Sequence, residues 1–141
     1  MKLVAFSEIA FGQNQRVKSW LRDEYRVVMG YEFQSFLVLN DEKILGAVLF
    51  FNKHFNDIEL GFFGKGILSR RMIKAIGAYC FIDNCCTRIT AKTHEKNITA
   101  QKVLAHVGFK PEGRLREFYD DGDAIIYGLL ERECKIWQLE K

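Results

Sequence analysis

The chain has 141 residues, of which 48% are hydrophobic and 28% are charged, with a single proline. This composition is typical of a globular protein and excludes a disordered one, and the length predicts one domain spanning residues 1–141. The formal net charge of +3 comes from 21 basic and 18 acidic residues spread along the chain, which is too weak and too mixed to indicate a nucleic-acid partner.

Targeting and metal signals are equally weak. The first eleven residues lack the pattern of a secretion signal, and no apolar run approaches membrane-spanning length. The four cysteines show neither paired spacing nor histidines at zinc-ligand spacing. We therefore expect a cytoplasmic protein with reduced thiols, no metal and no membrane partner.

The first half of the chain predicts a strand, a helical region and three further strands. A short strand is expected at Lys2–Phe6, followed by one or two exposed helices within Ser7–Tyr25. The polar turn Asn40–Lys43 separates two apolar runs and indicates a hairpin. The three strands that follow the helical region are predicted at Phe33–Leu39, Ile44–Phe51 and Asp57–Phe63.

A glycine-rich loop, Gly64-Lys65-Gly66, leads from the third of these strands into a helix. Ser69 is a suitable N-cap, and apolar residues at helical spacing continue the helix to Asp83. A strand at Thr87–Thr93 follows this helix. A strand, a glycine loop and a crossover helix therefore stand in sequence.

The last third predicts a capped helix and a hairpin. Asn97 can cap a helix whose apolar positions are Ala100, Val103, Leu104 and Val107, and Gly108 is placed to end it. Two strands, Arg114–Tyr119 and Ala124–Leu130, flank a turn that contains Asp-Gly. The order β-α-β-β-β-α-β-α-β-β predicts an α/β domain.

The region from about Phe33 to Trp137 resembles the GNAT acetyltransferases. The resemblance is most specific in Asn97-x-x-Ala100-x-x-x-Leu104-x-x-x-Gly108-Phe109, followed by Glu112-Gly113-x-x-Arg116. This stretch is similar to the ribosomal-protein N-terminal acetyltransferases, and Tyr127–Leu130 with Glu133-Cys134 is similar to short phage-encoded GNAT-like proteins. The resemblance implies a central mixed, mostly antiparallel sheet of about six or seven strands flanked by helices.

The resemblance also implies a site for acetyl-CoA. In the family, the strand before the glycine loop pairs with the pantetheine arm, and amides at the next helix N-terminus hold the pyrophosphate, as exposed N–H groups and the helix dipole favour. The corresponding residues here are Leu60, Phe62, Gly64, Lys65, Gly66, Ser69, Arg70 and Arg71, with Asn97 and Ala100 beside the pantetheine. Phe63 and Leu68 depart from the usual Arg or Gln and the usual small residue of this loop.

Acetyl transfer to an amine needs a base, because a free lysine amine has a pKa of about 10.4. Glu59 aligns with the glutamate proposed as base in the ribosomal-type relatives, and His94, near the end of its strand, is an alternative. The family's usual proton donor for the departing thiolate is a tyrosine or a serine. Leu104 and Ala100 occupy those positions here.

Two functions remain open at this stage. The first is an acetyl-CoA-dependent N-acetyltransferase that acts on a primary amine of a protein lysine, a protein N-terminus or a small molecule. The second is a catalytically inactive GNAT-like fold that serves as a binding or structural protein, including a phage component. Aromatic residues beyond those needed for the core are expected in a homodimer interface or in the acceptor cleft.

Overall fold

The computed structural model describes residues 8–140. Within this range seven strands form one sheet in the order β1-β2-β3-β4-β5-β7-β6. No helix in this range has the length and apolar character needed to cross a membrane. The elements are β1 (Glu8–Phe11), α1 (Asn14–Tyr25), β2 (Gln34–Asn40), β3 (Lys43–His54), β4 (Asp57–Phe63), α2 (Arg70–Gly77), β5 (Arg88–His94), α3 (Ile98–Val107), β6 (Lys110–Tyr119), β7 (Gly122–Leu130) and α4 (Lys135–Glu140).

The amino-terminal region differs from the prediction. The strand expected at Lys2–Phe6 lies outside the described residues, whereas β1 occupies part of the segment Ser7–Tyr25 that was predicted to be helical, so that prediction was wrong for residues 8–11. Ile9 and Ala10 are half-buried and pair with β2, which gives this short apolar segment an edge to extend. Gly12 then takes φ +83, and the helix begins only at Asn14.

Both predicted hairpins are confirmed, and three of their four strands, β3, β6 and β7, are longer than expected. Asp41 and Glu42 join β2 to β3 with φ of +50 and +66, as a two-residue type I′ turn requires. Tyr119 pairs with Gly122 at the β6/β7 turn. The strand β6 starts four residues before the predicted Arg114 and contains Pro111, which is tolerated because β6 is an edge strand.

The two predicted N-caps are confirmed by their hydrogen bonds. The Met72 amide donates to Ser69 Oγ at 3.1 Å, and the Ala100 amide donates to Asn97 Oδ1 at 3.1 Å. Gly108 ends α3 with φ +123. The helix predicted to reach Asp83 changes at Ala78 into a π-helical turn, Ala78–Asp83.

Two hydrophobic clusters cover opposite faces of the sheet. One face packs against α2 and α3 through residues such as Phe50, Leu60, Met72 and Leu104. On the other face, Val17 and Leu21 of α1 are fully buried against β2 and β3, each contributing about 1.5–3 kcal/mol from burial. The helix α1 reaches β4 only at its end, where the rings of Tyr25 and Phe63 lie 5.2 Å apart. Polar side chains such as Glu59, Thr90 and Lys92 occupy much of the rest of this second face.

The strands β4 and β5 form the parallel pair of an otherwise antiparallel sheet. They pair over four residues each, from Asp57 with Arg88 to Leu60 with Ala91. Beyond this point β4 stays with β3, and β5 stays with β7 as far as His94. Residues 61–63 and 92–94 therefore diverge, and we call the gap between them the β4/β5 opening.

Candidate functional site

The glycine loop at the end of β4 has a backbone that other residues would strain. Gly64 and Gly66 have φ of +110 and +67. A Cβ on Gly64 would come within 2.6 Å of the Leu45 carbonyl oxygen, whereas a Cβ on Gly66 would meet nothing within 4 Å. Gly64 is thus needed for both its backbone conformation and its close packing, and Gly66 for its conformation. Lys65 between them is exposed.

The amino terminus of α2 is rich in positive charge. Arg70 and Arg71 are exposed in its first turn, which contains no acidic residue. A cation near a helix N-terminus opposes the helix dipole by about 0.3–1 kcal/mol, so two arginines there are locally unfavourable. A bound anion would be attracted both by the two arginines and by the positive end of the helix dipole, and would offset this cost. The structure thus brings Lys65, Gly66 and Ser69 together with the two arginines beyond the end of β4.

The backbone of residues 61–63 is the part of β4 that borders the opening. Leu60 is buried and takes part in the last pair with β5, whereas Phe62 is half-buried and pairs with Val48 on the β3 side. No strand of the described sheet pairs with the β5-facing edge of residues 61–63. This edge has backbone N–H and C=O groups directed into the opening.

The amino terminus of α3 follows the other side of the opening. Asn97 is exposed, and its side-chain oxygen is already used in capping the helix. Ala100 is half-buried, and Leu104 is fully buried in the core. The two positions at which the GNAT acetyltransferases that the sequence resembles have a proton donor thus have apolar side chains here.

Glu59 lies on the uncovered face of the sheet, two residues before the opening. Its side chain is only 12% exposed. One carboxylate oxygen accepts a hydrogen bond from Asn52 Nδ2 at 3.2 Å, and the other lies 3.4 Å from Lys92 Nζ. The carboxylate is therefore held by two neighbouring strands, β3 and β5, and is directed along this face.

Two tyrosines and a phenylalanine complete the surroundings of Glu59. Burial raises the pKa of both Tyr31 and Tyr119, and the negative charge of Glu59 raises each further. The Lys92 ammonium lies over the Phe118 ring, 5.4 Å from its centroid. These residues were not identified from the sequence, because they come from two distant parts of the chain and only its high aromatic content pointed to them.

His94 has both ring nitrogens engaged. The Lys96 amide donates to Nδ1 at 3.0 Å, so the neutral ring carries its proton on Nε2, which donates to Asp121 Oδ1 at 2.7 Å. This hydrogen bond from His94 lowers the pKa of Asp121. As a base His94 would have to give up one of these contacts, whereas Glu59 is already an acceptor directed towards an ammonium.

An ion-pair network fastens the paired part of β4 and β5. Arg88 binds Asp57 at 3.0 Å and Glu112 at 2.7 Å, and the Thr90 hydroxyl donates to Asp57 at 2.6 Å. These groups satisfy one another and lie at the end of the strands away from the opening. We interpret them as structural. Among residues 8–140, no group of three or more His, Cys, Asp or Glu side chains is arranged to hold a metal ion.

These features define the GNAT fold: a mostly antiparallel sheet separates between two parallel strands, and a glycine loop and a helix N-terminus lie at the gap. The chain matches a single-substitution mutant of the spermidine N-acetyltransferase SpeG from Vibrio cholerae with a TM-score of 0.75 and 16% identity, over 97% of this chain and 99% of that one. Mutant forms of the Vibrio cholerae spermidine/spermine N-acetyltransferase SpeG match with a TM-score of 0.75 and 14% identity, over 97% and 99%.

A GNAT-family acetyltransferase from Bacillus anthracis matches with a TM-score of 0.57 and 21% identity, over 70% of this chain and 67% of that one. No protein-family profile and no curated protein sequence matches the chain. At these identities the likeness establishes the fold, and the chemistry has to be argued from the residues of the site.

Proposed function

We propose that the protein is an N-acetyltransferase that moves an acetyl group from acetyl-CoA to a primary amine by direct attack in a ternary complex. The observation that carries this proposal is the β4/β5 opening, which has the positively charged N-terminus of α2 at one end and the Glu59 carboxylate beside it. A thioester placed in the opening would have a base within reach on one face.

The residues around the opening fit acetyl-CoA. The β5-facing backbone edge of residues 61–63 offers amide and carbonyl groups for the pantetheine arm. The glycine loop and the first turn of α2, with Lys65, Arg70 and Arg71, offer N–H groups and positive charge for the pyrophosphate. We assign Asn97 and Ala100 to the side of the pantetheine formed by α3.

In the proposed step, the neutral amine nitrogen attacks the thioester carbonyl carbon. A C–N bond forms, the C–S bond breaks, and the amine proton passes to Glu59 and then to solvent. The coenzyme A thiolate leaves and takes up a proton. His94 remains the alternative base that the sequence predicted.

A tyrosine beside the site is available to protonate the leaving thiolate. Tyr119 is half-buried on the same face as Glu59, and its hydroxyl is protonated at neutral pH, because burial raises its pKa from an ordinary value that already lies well above neutrality. We therefore propose Tyr119 for the role that Ala100 and Leu104 cannot fill. A Tyr119→Phe variant should lower kcat and leave acetyl-CoA binding intact.

The first test is binding of acetyl-CoA by calorimetry. The double variant Arg70→Ala/Arg71→Ala should bind at least tenfold more weakly than the unaltered chain. A matched control, Arg132→Ala/Lys135→Ala, removes two exposed positive charges near the C-terminus and should not change the affinity. Absence of binding at about millimolar ligand, equivalent to roughly 4 kcal/mol, would overturn the proposal.

The second test measures thiol release from acetyl-CoA against a panel of amines that includes polyamines, lysine peptides and peptide N-termini. Spermidine enters this panel because structures with the same fold are spermidine N-acetyltransferases. Amine-dependent release that is lost in Glu59→Gln supports the proposal and identifies the acceptor class.

The alternative function is a non-catalytic GNAT-like fold that binds a partner. The apolar side chains of Ala100 and the fully buried Leu104 at the usual acid positions favour it. Binding of acetyl-CoA without thiol release from any amine would support this alternative. A cytoplasmic location, a homodimer, and kinship with the ribosomal-type or phage-encoded subgroup stay predictions from the sequence.

A further inference from the structure

An amine of the chain itself lies beside Glu59, the carboxylate that we propose as base. Lys92 Nζ lies 3.4 Å from Glu59 Oε2 and over the ring of Phe118. A carboxylate and an aromatic face are two groups that hold an ammonium. The side chain keeps 26% of its surface exposed, so it is neither sealed in the core nor free in solvent.

The position of Lys92 along the sheet is equally specific. The last pair between β4 and β5 joins Leu60 to Ala91, so Lys92 is the first residue of β5 on the diverging side. Glu59 and Lys92 thus flank the start of the β4/β5 opening on the same face. A thioester held in the opening would have Lys92 as its first neighbouring amine.

We propose that Lys92 is a site of self-acetylation by this protein. The inference rests on the proposed function, because it needs acetyl-CoA in the β4/β5 opening and Glu59 as base. It adds an acceptor that belongs to the chain and a modification site on the uncovered face of the sheet, beside Glu59.

The chemistry is the transfer already described, with an internal nucleophile. Lys92 gives up an ammonium proton to Glu59, and its Nζ attacks the thioester carbonyl carbon. The new C–N amide bond replaces the C–S bond, coenzyme A leaves as the thiol after taking up a proton, and Glu59 returns its proton to solvent. No oxidant or further reactant is needed.

Acetylation would change the charge of the cleft. The acetyl-lysine is neutral, so its ion pair with Glu59 is lost and the carboxylate becomes available to an incoming amine. A single internal transfer would therefore convert a cleft that is filled by its own ammonium into one that is open to an external ammonium.

The test follows acetylation of individual lysines by peptide mass spectrometry after acetyl-CoA is added to the full chain. Lys43 and Lys135, both exposed and remote from Glu59, serve as internal references. Lys92 should be acetylated at least tenfold faster than either reference, with a rate that is unchanged by tenfold dilution of the protein. Lys92→Arg, which keeps the charge, should remove the corresponding mass increase from the intact protein.

Glu59→Gln separates enzymatic from spontaneous acetylation. If Glu59 is the base, this variant slows acetylation of Lys92 at least tenfold and leaves the reference lysines unchanged. If Glu59 only restrains the ammonium, its removal leaves Lys92 acetylation as fast or faster, and the inference fails. Acetylation of external amines without acetylation of Lys92 also overturns the inference but leaves the proposed function standing, whereas failure to bind acetyl-CoA removes both.

Discussion

The imidazole of His94 stacks on the phenol ring of Tyr119, with ring centroids 4.9 Å apart and an interplanar angle of 22°. The histidine is thereby fixed between Tyr119, Asp121 and the Lys96 amide, and it orients the tyrosine that we propose as proton donor. We propose that His94 positions Tyr119 in this arrangement and does not itself accept the amine proton.

This relationship separates the two candidate bases. We expect Glu59→Gln to lower kcat by about 10²–10⁴-fold, the usual contribution of general base catalysis, and His94→Gln to lower it by less than about tenfold. Steady-state thiol release with the best amine of the panel is the measurement. The assignment is reversed if His94→Gln is the more damaging of the two.

The two polar atoms of the Asn97 side chain can be tested separately: Oδ1 caps the helix, and Nδ2 is free to contact a ligand in the proposed site. Asn97→Ala should destabilise the protein by about 0.5–2 kcal/mol in urea unfolding, because the Ala100 amide loses its acceptor. Asn97→Asp keeps that acceptor and should retain stability. If the Asn97 amide also contacts the pantetheine, Asn97→Asp will still bind acetyl-CoA more weakly; equal affinity would limit Asn97 to capping.

Two glycine substitutions should differ in cost for a steric reason. In Gly108→Ala, the new Cβ would lie 2.7 Å from the Glu133 carbonyl oxygen on a backbone at φ +123. In Gly66→Ala, the new Cβ would meet no atom within 4 Å, and φ is +67. The only loss of stability should therefore come from the left-handed backbone conformation, about 1–2 kcal/mol. Urea unfolding should show the larger loss for Gly108→Ala, by about 1 kcal/mol or more from overpacking. Equal losses would contradict the close packing of α3 against Glu133.

An acidic pair around Arg114 predicts how stability depends on pH. Hydrogen bonds from the Asp123 amide and from Arg114 lower the pKa of Glu95, and hydrogen bonds from the Glu117 amide and from Arg114 lower that of Asp123. A carboxylate whose pKa is depressed by folding stabilises the protein above its ordinary pKa and loses that contribution as the pH falls through the folded-state value. The free energy of unfolding should therefore fall as the pH drops below the ordinary values of 4.5 and 3.8.

Substitution of Arg114 tests this assignment. Arg114 contacts Glu95 at 3.0 Å and Asp123 at 2.8 Å, so Arg114→Gln should flatten the decline between neutral and acidic pH. Arg22→Gln, at an exposed pair with Asp23, is the matched control and should leave the decline unchanged. An equal effect of the two variants would show that net charge, and not this network, sets the pH dependence.

Local chemistry explains which parts of the fold the sequence predicted well. Ser69 and Asn97 were identifiable as caps, and Asp41-Glu42 as part of a turn, because each acts on backbone groups within three residues. Glu8–Phe11 was mistaken for helix because a four-residue strand depends on the edge of β2 that it pairs with, which lies about 25 residues further along the chain.

The neighbours of Glu59 could not be predicted from the sequence, because they depend on long-range strand pairing. Glu59 itself was identified from its alignment with a family motif, which assigns a residue without revealing its neighbours. Lys92 reaches it only through the parallel pairing of β4 with β5, and Tyr119 only through the order β5-β7-β6. Neither pairing follows from periodicity, because strands of the same pattern can join in many orders. Tyr31 comes from a loop, where hydrophobic patterning gives no position at all.

The short pairing of β4 with β5 is the weakest connection between neighbouring strands in the middle of the sheet. Strands β1–β4 form one part of the sheet and strands β5–β7 the other, and only four residue pairs between β4 and β5 join the two parts. The ion pair of Arg88 with Asp57 stabilises the end of this pairing that lies away from the opening. A ligand bound in the opening would contact both β4 and β5 and would restrain the two parts of the sheet from moving apart. Hydrogen exchange of the backbone amides in the four β4/β5 pairs should then slow when a ligand binds in the opening, even though the ligand touches none of these amides.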